Sequence, residues 1–353
     1  MHLGPRRAIF LREGGELSVE DITEDYTPVG EQALVKVKYS AINPADQKHA
    51  FIGLCTGSVS GLEWVGTVVE VGDSCSFKIG EEIFGLGIYG RKRPLYLGCH
   101  QDYVIADGPQ FAWPLPKGLS DQDAVSIPCA VGTAVDALFN ILGFGFPPAG
   151  FDGRDATGVP ILIWGGASAV GTATIQVAKA AGFAPIFTTA SPKNHESLLK
   201  IGALSAFDYN SPTVVEDIRN AVAQSGKKLS VVADTVSDNG TPDMAKRCLS
   251  DDVRDEDLLL SSVLPVNDPA WKICLGARPY GESFWFIHDV TQDTEFPVRV
   301  KNYMDWFMRN HGNFWKPILR TTVVQGAEKG IEEIRRVAAG GVSREKVLIA
   351  HPF

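Results

Sequence analysis

The sequence predicts an α/β protein that combines a small β-barrel with a doubly wound parallel sheet. The first observation is a series of short β-branched strands in residues 1–125, separated by glycine and proline as in small barrels. The second is an alternation of strands and helices from Val159 onward, which is typical of a parallel sheet. The third is a length of 353 residues with 44% hydrophobic residues, which is enough for about two packed domains.

The N-terminal part consists of predicted strands. Residues 33–39 alternate apolar and polar side chains, as a half-buried strand does. Residues 63–71 form a second β-branched run, which Gly72 and Asp73 end. Residues 83–87 and 103–105 are further short strands. Together these strands and their turns predict a barrel.

The second part is predicted to be doubly wound. Residues 124–142 have a helical pattern, and a connector rich in proline and glycine follows at 144–158. The alternating elements after it are strands at 161–164, 186–189, 206–209, 229–234 and 258–263, and helices at 169–181, 195–201 and 214–224. An amphipathic helix at 326–339 and a strand at 346–349 follow them.

The composition excludes several classes of protein. The net charge is −9, whereas nucleic-acid-binding proteins carry a basic excess. No apolar run reaches the ~18–20 residues of a membrane helix, and residues 1–12 lack the apolar core of a secretory signal, so a cytoplasmic protein is expected. The six cysteines include no pair with zinc-knuckle spacing, and we predict reduced structural thiols.

The sharpest local signal is a glycine loop between a strand and a helix. Residues 161–171 read ILIWGGASAVG, which is a G-x-G-x-x-G pattern with its middle glycine replaced by Ser168. Glycine allows a pyrophosphate to approach backbone N–H groups closely, and a helix N-terminus favours an anion. The alternative is a tight strand–helix turn that binds nothing. The predicted dinucleotide-binding residues are Gly166, Ala167, Ser168, Ala169 and Val170.

The residues after the second strand of this part indicate which cofactor binds. A NAD site usually has an acid about 20 residues beyond the glycine loop, where it holds the ribose hydroxyls. Residues 188–194 read TTASPKN, which contains no acid but offers Ser191 and Lys193. A hydroxyl and a cation suit a 2′-phosphate through charge-assisted hydrogen bonds. We therefore predict NADPH rather than NADH, with an exposed loop lysine as the alternative for Lys193.

The glycine loop and several further motifs together resemble the medium-chain dehydrogenase/reductase superfamily. Residues 61–72 (GLEWVGTVVEVG) are similar to its G-H-E-x-x-G-x-V-x-x-V-G stretch, and residues 78–83 (KIGEEI) to its K-x-G-D-x-V segment. Residues 341–347 resemble its closing G-x-x-x-G-K-x-V motif. Asp208-Tyr209 resembles a pair whose tyrosine lies against the cofactor phosphates, which implies that role for Tyr209.

This resemblance implies a GroES-like β-barrel catalytic domain and a Rossmann nucleotide-binding domain. The catalytic domain is expected at residues 1–129 and 289–353, with the Rossmann domain inserted at 130–288. Zinc enzymes of the family bind their catalytic metal with Cys, His and Cys, but Leu62 stands where the His belongs. Leucine is no zinc ligand and Glu63 alone cannot hold the ion, so we predict no metal.

The segment Ile42-Asn43-Pro44-x-Asp46-x-Lys48 resembles the zinc-independent branch, and most of all the fungal lovastatin-type trans-acting enoyl reductases that partner polyketide synthases. The WGGAS loop, the TASPxN stretch and the insertion at 144–158 share this resemblance. It implies hydride transfer from NADPH to the C=C bond of an α,β-unsaturated polyketide thioester. The alternatives are a quinone or alkenal oxidoreductase of the same fold, and an inactive NADPH-binding interaction protein.

The resemblance also assigns site residues. Lys48 is the candidate donor to the enolate oxygen, with a solvated surface lysine as the alternative. Thr133 is expected near the nicotinamide, with a helix-start hydroxyl as the alternative. Asn43, Pro44 and Asn194 are placed in the cofactor site, although fixing of the loop is the favoured role of Asn43 and Asp46, since Asn-Pro is a turn signal. The general acid stays open among Tyr89, Tyr280, His288 and water.

Other segments bear on partners. The run Arg91-Lys92-Arg93 suits an acidic acyl carrier domain, with a solvated loop as the alternative. The aromatic residues 284–286, together with Tyr303, Trp306 and Phe307, either wall an acyl pocket or pack a core. Pro279 would hinder pairing of an edge strand, so monomer and homodimer both stay open.

Overall fold

The computed structural model describes residues 3–108, 110–277 and 295–353, and the backbone of two short strands between the last two ranges. The predictions that concern Pro279, Tyr280, His288 and the side chains of residues 284–286 therefore lie outside the described residues.

The strands are numbered in chain order as β1 (Arg6–Leu11), β2 (Leu17–Ile22), β3 (Ala33–Ala41), β4 (Ser58–Val59), β5 (Glu63–Val71), β6 (Glu82–Leu86), β7 (Tyr103–Ala106), β8 (Ala112–Pro114), β9 (Ile161–Trp164), β10 (Ile186–Thr189), β11 (Ser205–Phe207), β12 (Val231–Asp234), β13 (Leu259–Ser262), β14 (Trp271–Ile273), β15 (Phe284–Trp285), β16 (Asp289–Val290), β17 (Arg320–Gln325) and β18 (Glu345–Ala350). The helices are α1 (Ala45–Lys48), α2 (Asp121–Ala124), α3 (Pro128–Val135), α4 (Ala169–Ala181), α5 (His195–Ile201), α6 (Val214–Gln224), α7 (Thr241–Arg247), α8 (Glu295–Phe314) and α9 (Ala327–Ala338).

The chain divides into two compact units. Unit 1 comprises Met1–Cys129 and Leu319–Phe353, with a few residues around 277–279, and unit 2 comprises Ala130–Gly276 and the chain from 280 to Ile318. The second unit thus continues to residue 318 instead of the predicted 288, and it includes α8. The reason is aromatic packing, because Tyr303 of α8 lies 5.0 Å from Phe146 and 5.5 Å from Phe139, measured between ring centroids.

Unit 1 is a β-barrel-like domain. Its larger sheet has the order β17-β18-β3-β5-β6-β8, with β7 also paired to β3, and a smaller sheet has the order β2-β1-β4. The alternation predicted for residues 33–39 is the inner face of β3, since Val35 and Val37 pack with Trp64 and Val68 of β5 in the core. Strand β18 enters this sheet from the far end of the chain and pairs antiparallel with β3.

Unit 2 contains a parallel sheet with the order β11-β10-β9-β12-β13-β14. In chain order this is 3-2-1-4-5-6, the doubly wound order whose direction reverses between β9 and β12. Apolar side chains cover one face of the sheet, where Leu162 and Val232 pack with Ile218 and Val222 of α6. The predicted α/β fold class, with a GroES-like barrel and a Rossmann sheet, is confirmed.

One helical stretch, Asp121–Ile141, is long and apolar enough to cross a membrane by length and composition alone. It contains α2, α3 and a π-helical turn at Asp136–Ile141 that continues α3. Its most apolar window is 89% buried inside the protein, as in the core helix of a globular protein.

Candidate functional site

The glycine loop lies at the carboxyl end of β9, beside the point where the strand order of unit 2 reverses. Open α/β sheets bind their ligands at this place. Gly165 has a φ of +84°, which favours glycine. A Cβ at Gly166 would lie 2.1 Å from Thr188 Oγ1, and a Cβ at Gly171 would lie 2.3 Å from the carbonyl oxygen of Gly165. The glycines therefore let the loop, β10 and α4 approach one another closely.

Helix α4 begins directly after the loop. Ser168 is its N-cap, and the Ser168 hydroxyl accepts a hydrogen bond from the Gly171 N–H at 2.8 Å. In the described part of the chain, the N–H groups of Ala167, Ala169 and Val170 have no acceptor. These donors and the helix dipole suit a phosphate group. The predicted role of Ser168 thus coincides with a capping role, which already uses its hydroxyl.

The end of β12 holds the glycine loop from the other side. Thr235 Oγ1 donates to the carbonyl oxygen of Trp164 at 2.8 Å and lies 3.0 Å from Ser168 Oγ. Asp234 accepts hydrogen bonds from Thr241 and from the N–H groups of Val236 and Ser237. Burial raises the pKa of Asp234, and these three donors oppose that rise. The loop is therefore fixed by its own unit before any ligand binds.

A second group of predicted residues lies after β10. Ser191 Oγ and Tyr209 Oη lie 3.0 Å apart, and Tyr209 is 44% exposed. Lys193 is exposed, with no ion partner among the described residues, whereas Asn194 is buried. A lysine and two hydroxyls thus lie near the strand end where NAD enzymes place an acid. This donor set fits a 2′-phosphate.

The predicted residues of unit 1 surround a buried ion pair. Lys346 Nζ donates to Glu63 Oε2 at 2.5 Å and to Asn43 Oδ1 at 2.7 Å. Asn43 Nδ2 donates to the same Glu63 oxygen at 2.9 Å, and the Cys129 N–H donates to Glu63 Oε1 at 2.7 Å. Glu63 and Lys346 are at most 2% exposed. The amide of Asn43 is therefore used inside the protein, which favours its loop-fixing interpretation.

The remaining predicted residues of unit 1 lie on the same loop. Pro44 is exposed and precedes α1, whose last residue is the half-buried Lys48. Asp46 fixes the loop, because its Oδ2 accepts a hydrogen bond from the Asn43 N–H at 2.7 Å. Thr133 belongs to α3 of unit 2 and is 7% exposed. Lys48 and Thr133 thus fall in different units.

Two further predictions concern Tyr89, a candidate general acid, and the basic run at residues 91–93. Burial raises the pKa of Tyr89 well above its usual value, and Cys129 and Cys55 nearby raise it further. Arg93 is 6% exposed and donates to the carbonyl oxygens of Gly61 and Val59, so only Arg91 and Lys92 of the basic run are exposed.

The aromatic residues of α8 that the structure describes pack a core. Tyr303 and Phe307 are fully buried, and Trp306 packs on Phe146. For these residues the core alternative is right, and the acyl-pocket interpretation is not supported.

The donor set near Glu63 does not fit zinc. Leu62 is buried and offers no ligand atom, and Glu63 is already paired with Lys346. In the described ranges of the chain, no three side chains of His, Cys, Asp or Glu are grouped as a metal site would require. Sequence reasoning missed Lys346 as the partner of Glu63, although it had assigned Lys346 to the family's closing motif.

Comparison with known proteins places the chain in a family. Residues 30–117 match the family described as "Alcohol dehydrogenase GroES-like domain", and residues 169–254 match "Zinc-binding dehydrogenase". A trans-enoyl reductase of Alternaria alternata is 33% identical over 240 residues, which is 67% of each chain. A trans-enoyl reductase of Penicillium citrinum is 34% identical over 61% of this chain, and the match spans 59% of that relative's length.

Solved structures agree on the fold. The crystal structure of the CurK enoyl reductase superposes with a TM-score of 0.69 at 17% identity, covering 98% of this chain and 99% of that one. The sequence relatives, the two matched domains and this fold agree with one another. The chain therefore belongs to the medium-chain dehydrogenase/reductase superfamily of oxidoreductases, whose members use a nicotinamide cofactor.

Proposed function

We propose that this protein is an NADPH-dependent, zinc-independent trans-enoyl reductase that reduces the C=C bond of an α,β-unsaturated polyketide thioester. The observation that carries the proposal is the nucleotide-binding loop of unit 2, with its unpaired N–H donors, in a chain whose relatives are named trans-enoyl reductases. The side chains around Glu63 do not form a set of metal ligands, which supports reduction of a C=C bond over oxidation of an alcohol. Oxidation of an alcohol passes through an alkoxide, which is difficult to stabilise without a metal.

NADPH is the cofactor that the residues of unit 2 favour. The N–H groups of Ala167, Ala169 and Val170 would hold the pyrophosphate, and Gly166 gives it room. The cation and hydroxyls after β10 would hold the 2′-phosphate. These side chains are Ser191, Lys193 and Tyr209.

The chemistry divides between cofactor and chain. Bound NADPH supplies a hydride for the β-carbon of the substrate. The chain must then stabilise negative charge on the thioester oxygen, and a positioned ammonium such as Lys48 does this by charge-assisted hydrogen bonding. The hydroxyl of Thr133, in the second turn of α3, would orient the reacting groups. Glu63 and Lys346, the buried pair, both form hydrogen bonds with Asn43. These bonds fix the loop that carries Lys48.

The substrate class is tested by steady-state rates with NADPH. Crotonyl-pantetheine and crotonyl-CoA are compared with a small enal and a quinone under the same conditions. We expect the thioesters to give the highest kcat/KM. A preference for the quinone or the enal would overturn the thioester proposal and favour the quinone or alkenal alternative. NADPH binding without turnover of any substrate would favour an interaction protein.

A carrier domain of a polyketide synthase is the proposed partner. Arg91 and Lys92 are exposed on one loop. Their positive charges are complementary to the acidic surface that an acyl carrier domain would present. The variant Arg91→Glu/Lys92→Glu is expected to raise KM for a carrier-tethered enoyl substrate and to leave KM for crotonyl-pantetheine unchanged. An equal effect on both substrates would contradict docking at this loop.

A further inference from the structure

Unit 1 contains a row of five side chains that can donate or accept protons and that lie, one to the next, within hydrogen-bond distance. We call it the five-residue array, and its members are Asp102, His351, Ser40, His100 and Asp46. His351 Nδ1 lies 3.0 Å from Asp102 Oδ1, and His351 Nε2 lies 2.9 Å from Ser40 Oγ. Ser40 Oγ lies 2.9 Å from His100 Nδ1, and His100 Nε2 lies 3.1 Å from Asp46 Oδ2. The contacts thus form one unbroken path.

The array is buried at every member except one. The side chains of His351, His100 and Asp46 are 0% exposed, and Ser40 is 0% exposed, whereas the Asp102 side chain is 16% exposed. Asp46 Oδ1, at the inner end, is buried and has no hydrogen-bond partner among the described residues. The path therefore runs from a solvent-accessible carboxylate to a buried one with an open acceptor atom.

The hydrogens of the array can be counted. Its four contacts need four hydrogens, because each joins two atoms at hydrogen-bond distance. With both imidazoles neutral and both carboxylates ionised, the two histidines and the serine supply one hydrogen each, which makes three. One contact would then bring two lone pairs together without water, which is unfavourable in a buried site. An additional proton removes this conflict.

The surroundings indicate where an additional proton resides. Burial lowers the pKa of His351, and Asp102 opposes that shift. A neutral His351 donates from Nδ1 to Asp102 and accepts from Ser40, so Ser40 accepts from His100. His100 then meets Asp46 with the second ring hydrogen. In the described part of the chain, the other titratable groups near this inner end include Arg93, Glu63 with Lys346, His49, Cys55 and Cys99, all in unit 1.

We propose that the five-residue array stores one proton at its His100–Asp46 end and relays protons from Asp102 toward the loop that carries Lys48. Its use rests on the proposed function. In that reaction the β-carbon forms a C–H bond with the hydride of the reduced nicotinamide, which is oxidised, while the C=C π bond breaks. Its electron pair moves to the thioester oxygen and then forms the new C–H bond at the α-carbon with a proton. The array supplies this proton, and solvent replaces it through Asp102.

Storage is tested without turnover, by NMR of the protein with ¹⁵N-labelled histidine and ¹³C-labelled aspartate. At about pH 7.5 a free imidazole is mostly neutral and a free carboxyl is ionised. We expect either imidazolium ring shifts at His100 or the shift of a carboxylic acid at Asp46, assigned with His100→Gln. Two neutral imidazoles together with an ionised Asp46 would overturn the proposal. His195, whose Nε2 faces the carbonyl oxygen of Ala190, is the internal control.

Relay is tested by removing the central hydroxyl. Ser40→Ala interrupts the path with little change in volume, and Ser40→Thr keeps the hydroxyl. We expect at least a tenfold loss of kcat in Ser40→Ala at high pH, with a changed kcat–pH profile, an unchanged KM and recovery in Ser40→Thr. A kcat–pH profile of Ser40→Ala that matches the unmodified protein would overturn the relay. If the unmodified protein reduces no thioester, the proposed function fails instead, and the NMR result still decides storage.

Discussion

Lys346 and Glu63 show how much a single residue pair can organise. Their ion pair is almost fully buried and connects β5, β18 and the Asn43 loop with the first turn of α3. Burial removes water from both charges, which costs free energy, so the pair is stable only because hydrogen bonds surround it. Glu63 accepts three of them, and removal of one partner leaves an uncompensated buried charge.

Lys346→Met is therefore expected to lower the free energy of unfolding by about 3–5 kcal/mol. The double variant Glu63→Gln/Lys346→Met removes both charges and should be less destabilised than the single one. Chemical denaturation of each variant measures this. The control is Lys329→Met, which breaks an exposed pair with Glu332 and should cost less than about 1 kcal/mol. Equal losses in Lys346→Met and Lys329→Met would contradict the importance of the buried pair.

The proposed preference for NADPH can be tested at Lys193. Lys193→Glu is expected to weaken NADPH binding at least tenfold and to change NADH binding little, because only NADPH carries the 2′-phosphate. Titration of both cofactors checks this. Lys272→Glu is the matched control, since Lys272 is exposed on β14, four strands from β10 and thus about 19 Å across the sheet. Equal weakening by both variants would point to net charge instead of a specific contact.

Acid sensitivity is expected to involve His49. Burial lowers its pKa from 6.5 to about 4, with Asp46 opposing and Arg93 adding to the shift. Since the unfolded chain binds this proton more readily, the stabilising contribution is complete above pH 6.5 and is lost as pH falls toward 4. The loss attributable to His49 is about 3 kcal/mol. Unfolding free energies measured at several pH values should fall less steeply in His49→Gln, and an unchanged slope would exclude His49 as the cause.

At the scale of elements, the glycine loop and its neighbours follow their sequence closely. β9, α4, β10, α5 and α6 have the predicted bounds, because each has a clear apolar pattern and a glycine, proline or polar cap at its end. Helix α8 was not predicted, although Val300, Tyr303, Met304 and Phe307 follow the 3.6-residue period of its buried face. From the sequence alone, its aromatic residues fitted an acyl pocket and a packed core equally well.

The insertion at 144–158 is expected to be stabilised by α8. Phe146 is 3% exposed and its ring lies 4.8–5.5 Å from those of Trp306, Tyr303 and Phe139. Phe146→Ala should lower the free energy of unfolding by about 3–5 kcal/mol through the cavity it leaves. The control Phe51→Ala removes a ring that is 68% exposed and should change it by less than about 0.5 kcal/mol. Thermal and chemical unfolding distinguish the two results, and similar losses would mean that this aromatic cluster does not support unit 2.

At the scale of the whole molecule, motifs predicted more than periodicity did. The order of the motifs identified a discontinuous barrel and an inserted nucleotide-binding sheet, and both are present. The boundary at residue 318, where the chain returns from unit 2 to unit 1, was not predictable. The aromatic contacts that assign α8 to unit 2 join residues about 160 apart in the chain. Likewise, one sequence cannot show that His351, Ser40 and His100 meet, because long-range pairing of β18 with β3 creates that contact.

That pairing also orders the events of folding. The six strands of the parallel sheet that the structure describes lie between residues 161 and 273, so the chain that forms them is available well before synthesis reaches residue 345. β3, in contrast, is synthesised early, and β18, which pairs with residues 39–41 of β3, follows more than 300 residues later. Domains usually form as soon as their chain is available. The nascent barrel therefore leaves one edge of β3 unpaired at residues 39–41 throughout the synthesis of unit 2, and an open strand edge favours pairing with other chains.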